Sequence, residues 1–142
     1  MKDQLVSLET ARLAKEKGFD ARCFATYKHF PDYSKCKLYD PRGSRLEAHV
    51  DFRERNWNNG RFNTSAPTQS LLQKWLREVY RIYVEVNFIS DICIYFVINQ
   101  LNEDLECILE VDSSDSETVN AKYDNWEKAL EDGLIYALKL IE

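Results

Sequence analysis

The spacing of apolar positions changes inside one continuous stretch, APTQSLLQKWLREVYRIYVEV at residues 66–86. Its first half repeats apolar residues at helical spacing, which predicts an amphipathic helix over 68–80, capped by Thr68 or Ser65. Its second half alternates apolar and polar residues, which predicts a strand with one buried face. We therefore expect a helix that runs almost directly into a strand. The positions expected on the two buried faces are Leu71, Leu72, Trp75, Leu76 and Val79 of the helix and Ile82, Val84, Val86 and Phe88 of the strand.

Two more strands and a helix are predicted downstream. ICIYFVI at 92–98 is apolar on both faces, as expected of a central strand, and LECILEV at 105–111 alternates again. With short turns between them, the three strands should form an antiparallel meander. The closing stretch 123–142 has the most regular helical pattern, with Trp126 on its apolar face and Gly133 in its middle. Because a mid-helix glycine costs about 1 kcal/mol against alanine, we expect a close helix–sheet approach at Gly133.

The N-terminal half is less regular. SLETARLAKEKGF at 7–19 predicts a helix with Ser7 as its N-cap and Gly18 in the left-handed position after its last turn. Short strands are expected in RCFATYKHF, SKCKLYD and LEAHVDF, a turn in DPRG, and a long loop over ERNWNNGRFNTSAP at 54–67. We predict a single α+β domain over 1–142, with an antiparallel sheet of three to five strands packed against two or three helices.

The charge is unevenly spread along the chain. Hydrophobic residues make up 44% of the 142, enough for a packed core that needs no disulfide or metal. The net charge of −5 combines +6 over residues 21–82 (twelve basic, six acidic) with −11 over 83–142 (three basic, fourteen acidic). Such asymmetry is typical either of a nucleic-acid contact or of oppositely charged protein faces, and the acidic total favours the second.

The composition also predicts the setting. The N-terminal segment is charged throughout, and no apolar run reaches the ~18–20 residues of a membrane helix. We therefore expect a cytoplasmic protein with no membrane contact. In that compartment the four cysteines, Cys23, Cys36, Cys93 and Cys107, are expected to be reduced thiols.

Motifs for catalysis or cofactor binding are missing from the sequence, which has no P-loop, GxSxG, HExxH or glycine-rich dinucleotide turn. Cys23, His29, Cys36 and His49 could be combined into a zinc site, but their spacing matches no common ligand pattern. A Cys36–His49 nucleophile pair is equally unsupported. Acidic clusters at 103–106 and 112–117 lack the EF-hand order and are expected to be solvated. We expect no cofactor and no metal, and we favour a non-enzymatic role.

VDFRERNWNNGRF at 50–62 is the strongest candidate for a binding segment, because it interleaves arginine with aromatic residues. Aromatic rings can stack on unpaired bases while arginine neutralises phosphate. A peptide or an acidic protein surface would suit the same residues, and a loop pinned to the body by its aromatics is the structural alternative. The candidate ligand- or partner-binding residues are Arg53, Arg55, Trp57, Arg61 and Phe62.

A second basic group lies on the predicted helix of 66–86. Lys74, Arg77 and Arg81 fall roughly on one helical face, as a nucleic-acid-binding helix would require. Three charges are a small footprint on an acidic protein, and no preceding helix completes a helix-turn-helix. We therefore predict that this stretch is structural, with Trp75 in the core.

Three stretches resemble a group of small uncharacterised proteins encoded by phages and prophages of gut bacteria. They are LVSLETARLAKEKGFD at 5–20, the stretch at 66–86, and YDNWEKALEDGLIYALKLI at 123–141, together 56 residues or about 40% of the chain. The chain departs from the group at 21–65 and 90–120. The resemblance implies a phage or prophage setting and a shared fold, and it transfers no catalytic or binding residue.

These observations together favour an accessory protein of phage or mobile-element origin that acts through protein–protein contact or self-association. The alternative is single-stranded nucleic-acid binding through the segment at 50–62. An enzyme is the third possibility.

Overall fold

The structure, a computed structural model, describes residues 3–28, 49–60, 63–89, 93–115 and 123–142, with only the backbone for Lys28 and 49–53. It confirms the predicted α+β class, with three helices and two three-stranded antiparallel sheets. The chain divides into two compact units, Met1–Ser70 and Leu71–Glu142. None of the described helices is both long enough and apolar enough to cross a membrane. The strand expected in SKCKLYD, the DPRG turn and the short turn expected before ICIYFVI lie outside the described residues.

The first helix, α1 (Leu8–Glu16), forms where its capping residues predict it. The Ser7 hydroxyl accepts a hydrogen bond from the backbone N–H of Thr10 at 3.2 Å, which satisfies one free donor of the first turn. After the helix Gly18 takes a φ of +86°, a left-handed conformation that glycine adopts without penalty. The turn returns the chain so that the Phe19 N–H bonds to the Ala14 carbonyl at 2.9 Å and the Phe19 ring is buried.

The sheet of the first unit contains β1 (Cys23–Lys28), β2 (His49–Arg55) and β3 (Asn63–Ser65), in the order β2-β1-β3. β2 includes residues 49–52 of the predicted LEAHVDF strand, whose positions 46–48 lie outside the described residues. The loop predicted over 54–67 is wrong in part. That stretch contains the end of β2, a 3₁₀ turn over Trp57–Asn59, and β3. The reason is the side chain of Asn58, whose Oδ1 accepts from the Ser65 N–H at 2.8 Å. Asparagine indicates a loop from sequence alone, but here its amide completes the backbone pairing of a short strand.

The second unit begins with the helix-to-strand junction predicted from the change in apolar spacing. α2 (Gln69–Tyr80) is followed after one residue by β4 (Ile82–Ile89). The connecting residue, Arg81, has a φ of 55°, a conformation usually left to glycine at a helix C-terminus. Its N–H bonds to the Arg77 carbonyl at 3.1 Å, and its own carbonyl accepts from the Leu101 N–H at 3.1 Å. Both backbone polar groups of Arg81 are thus hydrogen-bonded, which holds this residue in its left-handed conformation.

The predicted meander is confirmed. β4, β5 (Cys93–Leu101) and β6 (Cys107–Asp112) pair antiparallel in the order β4-β5-β6. β5 is the central strand, as its two apolar faces predicted, and it pairs with β4 from Ile82↔Gln100 to Ile89↔Cys93. The buried residues of the three strands are Ile82, Val84 and Val86 of β4, Phe96 and Ile98 of β5, and Val111 of β6.

The last helix, α3 (Trp126–Lys139), packs against β4 and β5. Gly133 makes this approach possible: a Cβ built on it would lie 2.9 Å from Val84 Cγ1 and 3.1 Å from Phe96 Cβ and Cγ. The close helix–sheet contact inferred from this glycine is therefore confirmed. The apolar side chains of α3 that face the interior are Leu130, Leu134 and Leu138.

Three positions expected on buried faces are exposed instead. Val79 is 54% exposed, Phe88 is 70% exposed and Trp126 is 39% exposed. Each lies at or near the end of its element, in the last turn of α2, the end of β4 and the start of α3. Among the residues that the structure describes, no element covers these three side chains.

Candidate functional site

The segment at 50–62 is only partly a surface. Arg53 lies on β2, where the structure describes the backbone alone, and Arg61 and Phe62 lie outside the described residues. Trp57 is buried, at 8% exposure. Its indole N–H donates to the Cys23 carbonyl at 3.0 Å, and its backbone N–H donates to the Ser65 hydroxyl at 3.0 Å. These bonds fix Trp57 to two strands of the first unit.

Arg55 is brought together with Trp57. The guanidinium carbon of Arg55 lies 4.0 Å from the centroid of the indole ring, a cation–π contact. Such contacts contribute about 0.5–1 kcal/mol at exposed sites. The arginine occupies a face of the ring on which a base would have to stack, so this pair is suited to pinning the segment to the unit.

The basic residues of α2 lie on the same helix as a buried tryptophan. Trp75 is 5% exposed and meets Tyr80 edge-to-face, with ring centroids 5.1 Å apart. Lys74 lies 3.8 Å from Glu78 one turn later, and both side chains are more than half exposed. The prediction that Trp75 belongs to the core is confirmed. The basic face of α2 faces solvent, where such an ion pair contributes only ~0.3–0.5 kcal/mol.

Cysteine and acidic residues do not converge on a metal centre in the part of the chain that the structure describes. No three His, Cys, Asp or Glu side chains there are grouped so as to hold an ion. His29 and Cys36 of the hypothetical zinc set lie outside this part, as does the side chain of His49. Cys23, Cys93 and Cys107 are free thiols, and burial raises the pKa of Cys23. A raised pKa lowers the thiolate fraction, which makes Cys23 a poor nucleophile.

A small cavity of about 190 Å³ opens beside α3. It is smaller than the ~300–1,000 Å³ of typical ligand pockets. Burial, and secondly the carboxyl of Asp132, raise the pKa of Tyr123 in its wall, so this phenol stays protonated at neutral pH. The cavity is therefore a weak candidate for chemistry. Its lining residues are Phe96, Tyr123, Asp132, Ile135, Tyr136 and Lys139.

The β5–β6 hairpin carries an apolar surface that the sequence pattern did not predict. Leu105 is 68% exposed, Ile108 59% and Leu109 36%. We call these three residues the hairpin surface. They lie within five consecutive positions, so three exposed apolar side chains are concentrated at the end of this hairpin.

The turn that presents Leu105 is ordered by one asparagine. Asn102 Oδ1 accepts from the N–H groups of Asp104 at 3.0 Å and Glu106 at 2.9 Å. The backbone of Asn102 adds two more bonds, from its N–H to the Glu106 carbonyl and from the Leu105 N–H to its own carbonyl. Leu105 has a φ of 63°. Hairpins of this type place glycine at the left-handed position, and a leucine there carries strain.

We expect Leu105→Gly to raise the free energy of unfolding by about 1 kcal/mol, because glycine removes the left-handed strain and part of the gain is lost to unfolded-chain entropy. Leu109→Gly is the matched control: it lies in the same hairpin without a positive φ. That change should lower stability by a similar ~1 kcal/mol, since glycine weakens a strand. Urea denaturation of both variants measures the difference. A loss of stability in Leu105→Gly would show that the leucine side chain is held by packing.

Acidic residues border the hairpin surface. Glu103, Asp104, Glu106 and Glu110 are all exposed, and the sequence has no Lys, Arg or His from 101 to 115. The signal in the sequence was the absence of glycine from QLNEDLE, a turn that needs a left-handed residue.

Comparison of the chain with models of known protein families, with curated proteins and with solved structures gave no match.

Proposed function

We propose that this protein is a non-enzymatic accessory protein of phage or mobile-element origin, which acts in the cytoplasm by contact with another protein. The observation that carries the proposal is the hairpin surface. Leu105 and Ile108 are both more than half exposed on an ordered hairpin. Burying a leucine or isoleucine side chain fully is worth about 1.5–3 kcal/mol. A partner that covers the two residues, which are 68% and 59% exposed, would gain roughly the corresponding part of that energy for each.

The strain at Leu105 supports a binding role over a structural one. Residues held in unfavourable backbone regions cluster at binding and catalytic sites, where the surrounding structure over-determines them. The four hydrogen bonds of the Asn102 turn hold Leu105 in its exposed position before any partner arrives. A preorganised contact loses little entropy on binding, so it converts more of its buried area into affinity.

The phage or mobile-element origin rests on the resemblance of three stretches described above. Those stretches correspond to α1, to the α2–β4 junction and to α3, and so include the three α-helices of the described chain. The hairpin surface falls in 90–120, where the chain departs from that group. This division suits a shared scaffold that presents a binding surface of its own in each protein.

Single-stranded nucleic-acid binding through 50–62 remains the alternative function, and we rank it second. Trp57, its main stacking candidate, is buried and covered by Arg55 on one face. The hairpin surface is bordered by carboxylates, which repel phosphate. Salt-sensitive binding of a labelled single-stranded oligonucleotide that is lost in Arg55→Gln and kept in hairpin variants would favour this alternative.

The test of the proposal is capture from a lysogenic bacterial host with a matched set of variants. Leu105→Asn with Ile108→Thr replaces the two most exposed apolar residues of the hairpin surface. Asparagine tolerates the positive φ, and threonine keeps β-branching. Val79→Thr, which changes an apolar residue of α2 that is 54% exposed, is the control. We expect the parent and the control to capture the same host protein. The double variant should capture at least about tenfold less of it, since tenfold corresponds to about 1.4 kcal/mol. Equal capture by all three forms would contradict the proposal.

A further inference from the structure

The outer edge of β6 is open along the described chain. In the β4-β5-β6 sheet β6 is a terminal strand, and its residues from Cys107 to Glu110 are all exposed. The opposite edge of the sheet, formed by β4, is hydrogen-bonded to a side chain. On β4, the side-chain amide of Gln73 donates to the Val84 carbonyl at 2.6 Å, so α2 satisfies an edge group there.

The hydrogen-bond pattern shows which backbone groups of β6 face outward. The Ser113 N–H bonds to the Phe96 carbonyl at 2.9 Å, and Val111 is paired with Ile98. Since successive residues of a strand direct their backbone groups to opposite edges, Val111 bonds toward β5 and Glu110 points its N–H and C=O away. Glu110 is therefore the point at which an added strand would begin to pair.

Side chains at this edge separate by face. Leu109 and Val111 lie on the face of β6 that also contains the buried Ile98. Glu110 lies on the other face, opposite Asn99 in the register. Because Val111 is buried, an incoming strand with alternating residues would meet Leu109 on one face and the Glu110 carboxylate on the other.

Charge decides which strand fits. Between 101 and 115 the chain carries six carboxylates and no basic residue. A second copy pairing through β6 would bring these like charges together, which destabilises cross-strand pairs. Charges on an edge are also a common protection against self-association. A protective role alone does not account for the exposed Leu105 and Ile108 beside the edge.

We propose that the edge of β6 binds an extended segment of a partner protein that alternates apolar with basic residues, added to the sheet as a fourth strand. Main-chain bonds to Glu110 supply the pairing. Leu109 of the hairpin surface contacts the apolar side chains of the added strand, and the carboxylates select lysine or arginine. This inference rests on the proposed function, because it specifies the partner of the same surface.

The probe is a fluorescein-labelled octapeptide that alternates valine and lysine. Its binding to the protein is measured by fluorescence anisotropy at low and at high salt. Three peptides are its controls: one with glutamate for lysine, one with four valines followed by four lysines, and one N-methylated at alternate backbone nitrogens. The glutamate peptide changes the charge, and the block peptide removes the alternation. The N-methylated peptide cannot form the backbone hydrogen bonds of a strand. We expect each control to bind at least about tenfold more weakly than the alternating basic peptide, and salt to weaken the parent interaction.

Two changes at Glu110 test the site on the protein. Glu110→Gln removes the charge alone, and Glu110→Pro also removes the outward N–H while sparing the bonds to β5, because proline is tolerated on edge strands. We expect a loss of about two- to threefold for Gln and at least about tenfold for Pro. Circular dichroism checks that both fold, and the N-methylated peptide gives the same test on the unaltered protein.

The outcomes separate this inference from the proposed function. If the block peptide or the N-methylated peptide bound as tightly as the alternating basic peptide, strand addition would be overturned. Charge attraction alone would then explain the binding. Host-protein capture that requires the hairpin surface but is unaffected by Glu110→Pro would overturn the inference and leave the proposed function intact. A dimer in sedimentation that Glu110→Pro abolishes would also overturn it, in favour of a second copy.

Discussion

Trp75→Ala is expected to lower the free energy of unfolding by about 3–5 kcal/mol, the range for truncation of a large buried aromatic residue. Trp75 is 5% exposed, and its helical neighbours Leu72 and Leu76 are fully buried. Alanine would leave a cavity there and remove the edge-to-face contact with Tyr80, in which the rings are inclined by 70°. The loss should be measured by urea denaturation followed by far-UV circular dichroism.

The control for this prediction is Val79→Ala on the same helix. Val79 is 54% exposed, and alanine has the higher helix propensity, so stability should change by less than about 0.5 kcal/mol. The same two variants also test whether Trp75 is structural or part of a binding surface. A Trp75→Ala protein that kept its stability and lost only partner capture would show that the tryptophan contacts a partner.

The second large effect is expected at the helix–sheet contact of α3. Gly133→Ala should destabilise the fold by about 1–3 kcal/mol, the usual cost of overpacking a close-packed site. This is the net loss, after the ~1 kcal/mol that alanine gains over glycine in a helix interior. The added methyl group would lie 2.9 Å from Val84 Cγ1 and 3.1 Å from Phe96 Cβ and Cγ. Neither neighbour yields easily, because valine is stiff about χ1 and Phe96 is buried.

Lys128→Ala is the matched control for Gly133→Ala, since Lys128 is an exposed residue of the same helix. Its unfolding free energy should stay within about 0.5 kcal/mol of the parent. Thermal and urea denaturation of both variants measure the two values. A Gly133→Ala protein more stable than the parent would mean that the helix moves away from the sheet at little cost, and that this glycine is not needed for the packing.

Sequence patterns located most elements of the second unit correctly. The switch from helical to alternating spacing placed the α2–β4 junction to within a residue, and two apolar faces identified β5 as the central strand. Ser7 and Gly18 predicted both ends of α1. These are local signals, since capping and periodicity depend on residues a few positions apart.

The candidate site was not predictable in the same way. The segment at 50–62 was selected for its mixture of arginine and aromatic residues, and the structure buries Trp57 through a bond to Cys23, 34 residues away. The hairpin surface was hidden because LECILEV alternates as a half-buried strand does. Alternation identifies a possible inner face, but only the neighbouring elements decide whether that face is covered.

The sequence by itself determined the α+β class, the helix caps, the antiparallel meander and the close approach at Gly133. It did so because those features follow from backbone preferences and apolar spacing over short distances. Tertiary structure alone decided that the strands form two sheets, that Phe88 and Leu105 stay exposed, and that Leu105 adopts a positive φ. The physical reason is that burial and left-handed strain depend on contacts with distant parts of the chain, which no local pattern encodes.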